Sequence, residues 1–134
     1  MEEETLPKVL ISKASITPGG EYAWKMDDIP KVIEAARIAG LANLGGQPQF
    51  QGPIGTAEPY WLNFDPSDRN AKENWQQYVN RAAAETLEAF KRLCKETDFD
   101  EEGVKNLKHI KEAKEKGLNV TEHLWFVLYF ESNS

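Results

Sequence analysis

Residues 47–64 read QPQFQ-GPIG-TAEPYWLNF, and this stretch decides the fold class. Two segments of strand character, Gln47 to Gln51 and Thr56 to Phe64, flank Gly52-Pro53-Ile54-Gly55. Two glycines and a proline supply the backbone conformations of a four-residue connection, so the stretch predicts a β-hairpin with antiparallel arms. In the second arm Tyr60, Leu62 and Phe64 alternate with Trp61 and Asn63. Period-two alternation predicts the first set facing the core and Trp61 facing the opposite side. Pro48 and Pro59 donate no ladder hydrogen bond and belong at strand starts, edges or bulges.

Downstream, residues 71–95 predict a long amphipathic helix. Trp75, Val79, Ala82, Ala83, Thr86, Leu87, Phe90 and Leu93 recur at spacings of three and four. Asp68 or Asn70 is the expected cap. Asp98 with Glu101 opens a further helix over 99–116, with Val104, Leu107, Ile110 and Ala113 inward and Gly117 as its stop. Its first turn is acidic and its last turn basic, as the helix dipole favours. Leu124 to Phe130 is apolar on both faces, which predicts a strand in the middle of a sheet.

Upstream, Val9-Leu10-Ile11 with Ala14, Ile16 and Thr17 reads as a first strand closed by Pro18-Gly19-Gly20. Tyr22-Ala23-Trp24 fits strand or loop. Asp27 and Asp28 offer an N-cap, Pro30 suits a first helical turn, and Ile29, Val32, Ile33 and Ala36 form a stripe ending at Gly40. Helices and strands do not alternate strictly, and a hairpin is present. The class is therefore α+β: a single domain over 1–134, with an antiparallel or mixed sheet of about four strands and three helices mainly on one face.

Composition bounds the function. The 134 residues include 22 acidic and 16 basic side chains, a net charge of −6, with the acidic excess at the two ends. A sequence-independent nucleic-acid binder needs a basic surplus, so that class is excluded. A single Cys excludes an internal disulfide framework and suits a reducing compartment. The acidic start Met1-Glu2-Glu3-Glu4 is unlike a secretory or mitochondrial leader. The longest apolar run falls far short of the ~20 residues that span a bilayer as a helix. The expected location is cytoplasmic.

Chemistry-bearing residues are sparse. Cys94, His109 and His123 have no close-spaced pairing of the kind metal sites use, so no metal or cofactor is expected. Gly45-Gly46 precedes a strand with a proline rather than a helix N-terminus, so it reads as a turn and not a phosphate loop. The Lys-rich stretch 105–116 is matched by acids at i,i+4, as in Glu101–Lys105 and Lys108–Glu112, which marks a solvated helix face. Glu58, Asp65 and Asp68 lie among aromatics, where paired carboxylates could run acid–base chemistry, but Asp65-Pro66-Ser67-Asp68 is also a turn sequence.

The aromatic supply is the distinctive feature: four Trp, four Tyr and six Phe. Alternation separates Trp125, Val127 and Tyr129 from Leu124, Phe126, Leu128 and Phe130, as it separates Trp61 from Tyr60. Trp61, Trp125 and Tyr129 with Glu58 and Asp65 are the candidate binding residues, since exposed Trp and Tyr are frequent hot spots of protein interfaces. The competing reading is that these rings complete the core.

Gly45-Gly46-Gln47 with Gln49-Phe50, Glu58 with Tyr60-Trp61 and Phe64-Asp65, Glu73-Asn74-Trp75 with Tyr78-Val79, and the closing residues 125–130 together resemble small bacterial immunity proteins encoded beside polymorphic or contact-dependent toxins. The resemblance implies tight, non-enzymatic binding of a toxin domain, often a basic nuclease that an acidic surface complements. Two other readings stay open. A small-molecule or carbohydrate binder would use Trp61, Trp75 and Tyr60 as pocket walls with Glu58 or Asp65 as polar contacts. An enzyme would need the carboxylates to converge there.

Overall fold

The computed structural model describes residues 5–17, 19–52 and 55–133. The amino-terminal acidic residues, Pro18 and the hairpin-turn residues Pro53 and Ile54 lie outside them. The class is α+β. Among the described residues five helices accompany a five-stranded sheet, where the sequence predicts three helices and about four strands.

The first difference comes at once. Val9-Leu10-Ile11, read from sequence as strand, belongs to α1 (Lys8–Lys13). Within α1, Leu10 is buried and the adjacent Ile11 packs against the same core, while Val9 is exposed; a strand would send Leu10 and Ile11 to opposite faces. The run therefore obeys the helical period and not the strand period. Extended backbone at Ala14 then leads into the short β1 (Ser15–Ile16), which pairs antiparallel with β2 (Tyr22–Trp24).

A 3-10 turn, Met26–Asp28, leads into α2 (Ile29–Ile38), which carries Pro30 in its first turn. The buried residues of α2 are Ile29, Val32, Ile33 and Ala36, the predicted stripe. Gly40 at φ +79° makes the turn that ends this unit.

β3 (Ala42–Gly52) is longer than the predicted arm, and β4 (Gly55–Ala57) is shorter. Gly45-Gly46, read as a helix-to-strand turn, lies inside β3 at a register shift between Asn43 and Gly46. The second hairpin arm stops at Ala57 because Pro59 has no N–H to extend the ladder. Tyr60, expected in the core, is 74% exposed, whereas Phe64 is buried.

The long helix α3 (Trp75–Glu96) starts four residues later than the sequence reading. Asn74, rather than Asp68 or Asn70, caps it: the Asn74 side chain accepts from the Gln77 N–H, and the Gln77 side chain accepts from the Asn74 N–H. Its inward stripe holds Val79, Ala82, Ala83, Thr86 and Phe90 as expected, and adds Tyr78.

The predicted helix 99–116 is two helices, α4 (Phe99–Asn106) and α5 (Lys108–Glu115), broken at Leu107, whose backbone is extended. A Cβ on Gly103 would lie 2.9 Å from the Phe50 ring and 3.0 Å from Ile110, so the glycine lets α4 sit on β3 while α5 folds back over it. Asp98 caps α4 by accepting from the Glu101 N–H, and Gly117 at φ +92° follows α5.

A 3-10 turn, Val120–His123, leads into β5 (Leu124–Glu131). The sheet order is β1-β2-β5-β3-β4, all antiparallel, so β5 holds the middle as its two-sided hydrophobicity requires. One sheet face carries Trp24, Phe50, Leu124, Phe126 and Leu128 into the core. Phe126 is the hub: its ring centroid lies 5.1 Å from Phe90, 5.5 Å from Phe99 and 6.2 Å from Phe64. No described helix is long and apolar enough to cross a membrane.

Candidate functional site

The other face of the sheet and the loop leaving its β4 edge carry the polar and aromatic residues. Ala57 stands opposite Phe50, and the Phe64 N–H donates to the Gly46 carbonyl at 3.0 Å. Between these two anchors residues 58–63 have only residues 47–49 beside them. Twice as much chain must bow outward, and hydrogen bonds from Tyr60 N–H to Glu58 O and Leu62 N–H to Pro59 O close the bow into a turn. Tyr60 and Trp61 sit on that turn with centroids 5.4 Å apart and planes at 82°. Trp61 is 42% exposed.

The glycine pair makes the return anchor possible. Gly45 has φ +87°, and a Cβ there would lie 2.3 Å from the Asp65 carboxylate. A Cβ on Gly46 would lie 1.8 Å from the Val127 carbonyl oxygen. Neither position accepts a side chain, so Phe64 and Asp65 lie directly against β3. The Gly46 N–H donates to Asp65, and burial pushes the Asp65 carboxyl up against that hydrogen bond.

Register places Gln49 opposite Trp125, Gln47 opposite Val127, and Val127 opposite Ala23. Gln47, Gln49 and Gln51 alternate onto one face, and their side chains form a directed chain. Ser15 Oγ donates to Gln51 Oε1 at 2.5 Å, and Gln51 Nε2 donates to Gln49 Oε1 at 2.6 Å. Gln49 Nε2 donates to Glu58 Oε1 at 2.6 Å, and Gln47 Nε2 donates to Glu58 Oε2 at 3.1 Å. Both oxygens of Glu58 are therefore held, and the amide dipoles reinforce one another toward its charge. Ser15 reaches Gln51 although two strands separate β1 from β3, which requires the sheet to curl around this face.

Gln47 Nε2 also donates to the Tyr129 hydroxyl at 2.9 Å. Burial first, and then the hydrogen bond to Glu21, push the Tyr129 phenol up to about 12, against the opposing Gln47 bond. One row further along, Lys25 Nζ lies 4.5 Å from the Trp125 ring centroid and donates to the Glu122 carbonyl. Burial lowers the Lys25 ammonium from its usual value, with Glu122 opposing.

The structure thus joins Glu58 and Tyr129 through Gln47, sets Trp125 on the same face, and puts Trp61 and Asp65 on the turn and return of the adjoining loop. The carboxylates of Glu58 and Asp65 have separate partners, and at Asp68 it is the main chain that bonds. Glu58 holds Gln47 and Gln49, Asp65 accepts from Gly46, and Asp68 lies exposed, its carbonyl accepting from Arg81 at 2.9 Å. Trp75 is engaged elsewhere: its indole N–H donates to the Gly40 carbonyl, and its ring packs on Tyr78. A hollow of about 220 Å³ between α2 and α3 is lined by Ile33, Arg37, Ala83 and Leu87 rather than by Tyr60 or Trp61.

The glutamine row escapes the sequence reading. Its signal is present in Gln47-Pro48-Gln49-Phe50-Gln51, where three amides at period two must share one strand face. Ser15 and Glu21 have no such signal, since only the curl of the sheet brings them in. Cys94, His109 and His123 are not gathered, and the described residues hold no group of three or more His, Cys, Asp or Glu able to bind a metal ion. Burial pushes the Cys94 thiol up to about 11. His123 Nδ1 lies 2.9 Å from the Gln51 carbonyl, in the turn before β5 rather than at the strand start. No protein family matches the chain, and no curated protein or solved structure matches it significantly.

Proposed function

We propose that the protein is a non-enzymatic binding module whose partner is another protein, and that it acts as an immunity protein by neutralising a basic toxin domain. The observation that carries this reading is the Tyr60–Trp61 pair. Two large aromatic rings stand exposed on a turn anchored at both ends, by β3–β4 pairing on one side and Gly46 on the other. Rigid, amphipathic rings of this kind give contact area at small entropic cost. The net charge of −6 suits a basic partner.

The test is capture with wild-type and Trp61→Ala baits from lysate of the native organism, followed by calorimetry on the purified pair and an assay of the captured domain's toxicity. One stoichiometric basic partner, bound at least about tenfold more weakly by Trp61→Ala and silenced by the wild type, supports the reading. A partner bound equally by both baits takes the aromatic turn out of the interface, and the absence of any stoichiometric partner overturns the reading.

A second reading rests on the amide row. Glu58 receives two amide donors beside Trp125, an arrangement that also suits a polar small molecule such as a carbohydrate. A thermal shift with sugars that Gln49→Leu abolishes, together with no protein partner, would favour it.

A further inference from the structure

We infer that the Tyr60–Trp61 pair receives a cationic side chain of the partner, an arginine guanidinium, and that this contact is the specific element of the interface. The inference rests on the protein-binding reading above and names what that site takes. Three other rings, those of Trp125, Trp75 and Tyr78, already carry cations from this chain. Lys25 lies over Trp125 at 4.5 Å, Arg69 lies over Trp75 at 5.3 Å and Tyr78 at 5.7 Å, and Arg81 lies over Tyr78 at 5.6 Å. The described residues provide no such cation over Tyr60 or Trp61, the two exposed aromatic rings.

The local charge explains why. Residues 38–68 contain no Lys, Arg or His, and they contain Glu58, Asp65 and Asp68. The segment that builds β3, β4 and the aromatic turn therefore carries three carboxylates and no cation of its own, and the α3 arginines meet it at its far end, Arg81 at the Asp68 carbonyl and Arg92 beside Asp65. An aromatic face attracts a cation through its quadrupole, Trp most strongly, and nearby carboxylates add a long-range pull. The two rings meet edge to face at 82° and bound a corner in which a cation can stack on an open ring face. A flat guanidinium stacks on a ring face and is less strongly hydrated than an ammonium, so arginine fits this corner better than lysine.

The test uses end-blocked Gly-Gly-Arg-Gly-Gly, with citrulline and lysine counterparts, titrated into the ¹⁵N-labelled full chain. The four indole N–H signals are assigned with Trp→Phe variants. The expected result is a saturable shift of the Trp61 signal with the arginine peptide, none with citrulline, and still signals from Trp24, Trp75 and Trp125. Trp61→Ala should weaken the arginine peptide about tenfold, and Trp61→Phe should recover part of that loss. No shift of Trp61, an equal shift with citrulline, or lysine binding as well as arginine would each overturn the assignment. The two readings fail separately. If the peptide leaves Trp61 unmoved while Trp61→Ala still loses the captured partner, the cation contact falls and the protein interface stands. If Trp61→Ala leaves partner binding unchanged, the aromatic turn is out of the interface and the assignment falls with it.

Discussion

At Gly46 the distance from a would-be Cβ to the Val127 carbonyl oxygen is 1.8 Å, and the atom it would strike is main chain in the central strand. Gly46→Ala must therefore push β3 off β5 or unseat Phe64, and we expect a loss of about 3 kcal/mol, read as a fall in the urea midpoint. The tryptophans divide in the same experiment. Trp24 is fully buried with its indole N–H on the Leu10 carbonyl, so Trp24→Ala should cost about 3–5 kcal/mol. Trp61→Ala, at an exposed turn, should change stability by no more than about 0.5 kcal/mol. Cys94 offers a pH test. Its thiol is raised to about 11 by burial, so the thiolate is scarce at neutral pH. Alkylation by iodoacetamide should be slower than for the unfolded chain at pH 8, and its rate should keep rising with pH up to about 11.

At the scale of elements, the start of α3 is held by more than its cap. Arg81 Nε and Nη2 donate to Glu73, and Nη1 donates to Glu85 and to Ser67 Oγ, so one guanidinium ties the 67–73 segment to the helix. The Arg81 hydrogen bond first, and then the Asn70 N–H, hold the Glu73 carboxyl down to about 2. A carboxyl depressed by folding contributes stability that is present above its unfolded value near 4.5 and is lost as pH falls through about 2. The stability difference between wild type and Glu73→Gln should therefore be constant from neutral pH to about 5, then fade toward zero near pH 2. Asn74→Ala removes one half of the capping box and should cost about 1 kcal/mol at all these pH values, by urea denaturation.

Over the whole molecule, β5 sits between β2 and β3, with core on one face and the curled polar face on the other. Its amides should exchange only through global unfolding. Hydrogen exchange at Phe126, Val127 and Leu128 should be the slowest in the chain, and exchange in α5, whose outer face is solvated, much faster. If the proposed basic partner is engaged, the net charge of −6 should show in the kinetics. Association should slow about tenfold between low and ~0.5 M salt while dissociation changes little, because long-range attraction is screened and the seated contact is not.

Local chemistry made much of the frame legible in the sequence alone. The α2 and α3 stripes, the Asp98 cap, the positive-φ stops at Gly40 and Gly117, the hairpin and the central place of 124–130 all follow from periodicity and turn residues read over a few neighbours. Tertiary structure decided what depends on distant partners. Val9-Leu10-Ile11 is apolar under either period, and only the core contact of the adjacent Leu10 and Ile11 selects the helix. Tyr60 alternates correctly for a core residue, yet the seat of Phe64 and Asp65 on Gly45-Gly46, some twenty residues away in sequence, bows the chain outward and exposes it. The candidate site divides the same way. Glu58, Trp61, Trp125 and Tyr129 stand out by residue type, but the bond from Glu58 through Gln47 to Tyr129 and the link from Ser15 to Gln51 exist only because the sheet curls. Curl is a property of strand pairing summed over the whole sheet, and no single segment encodes it.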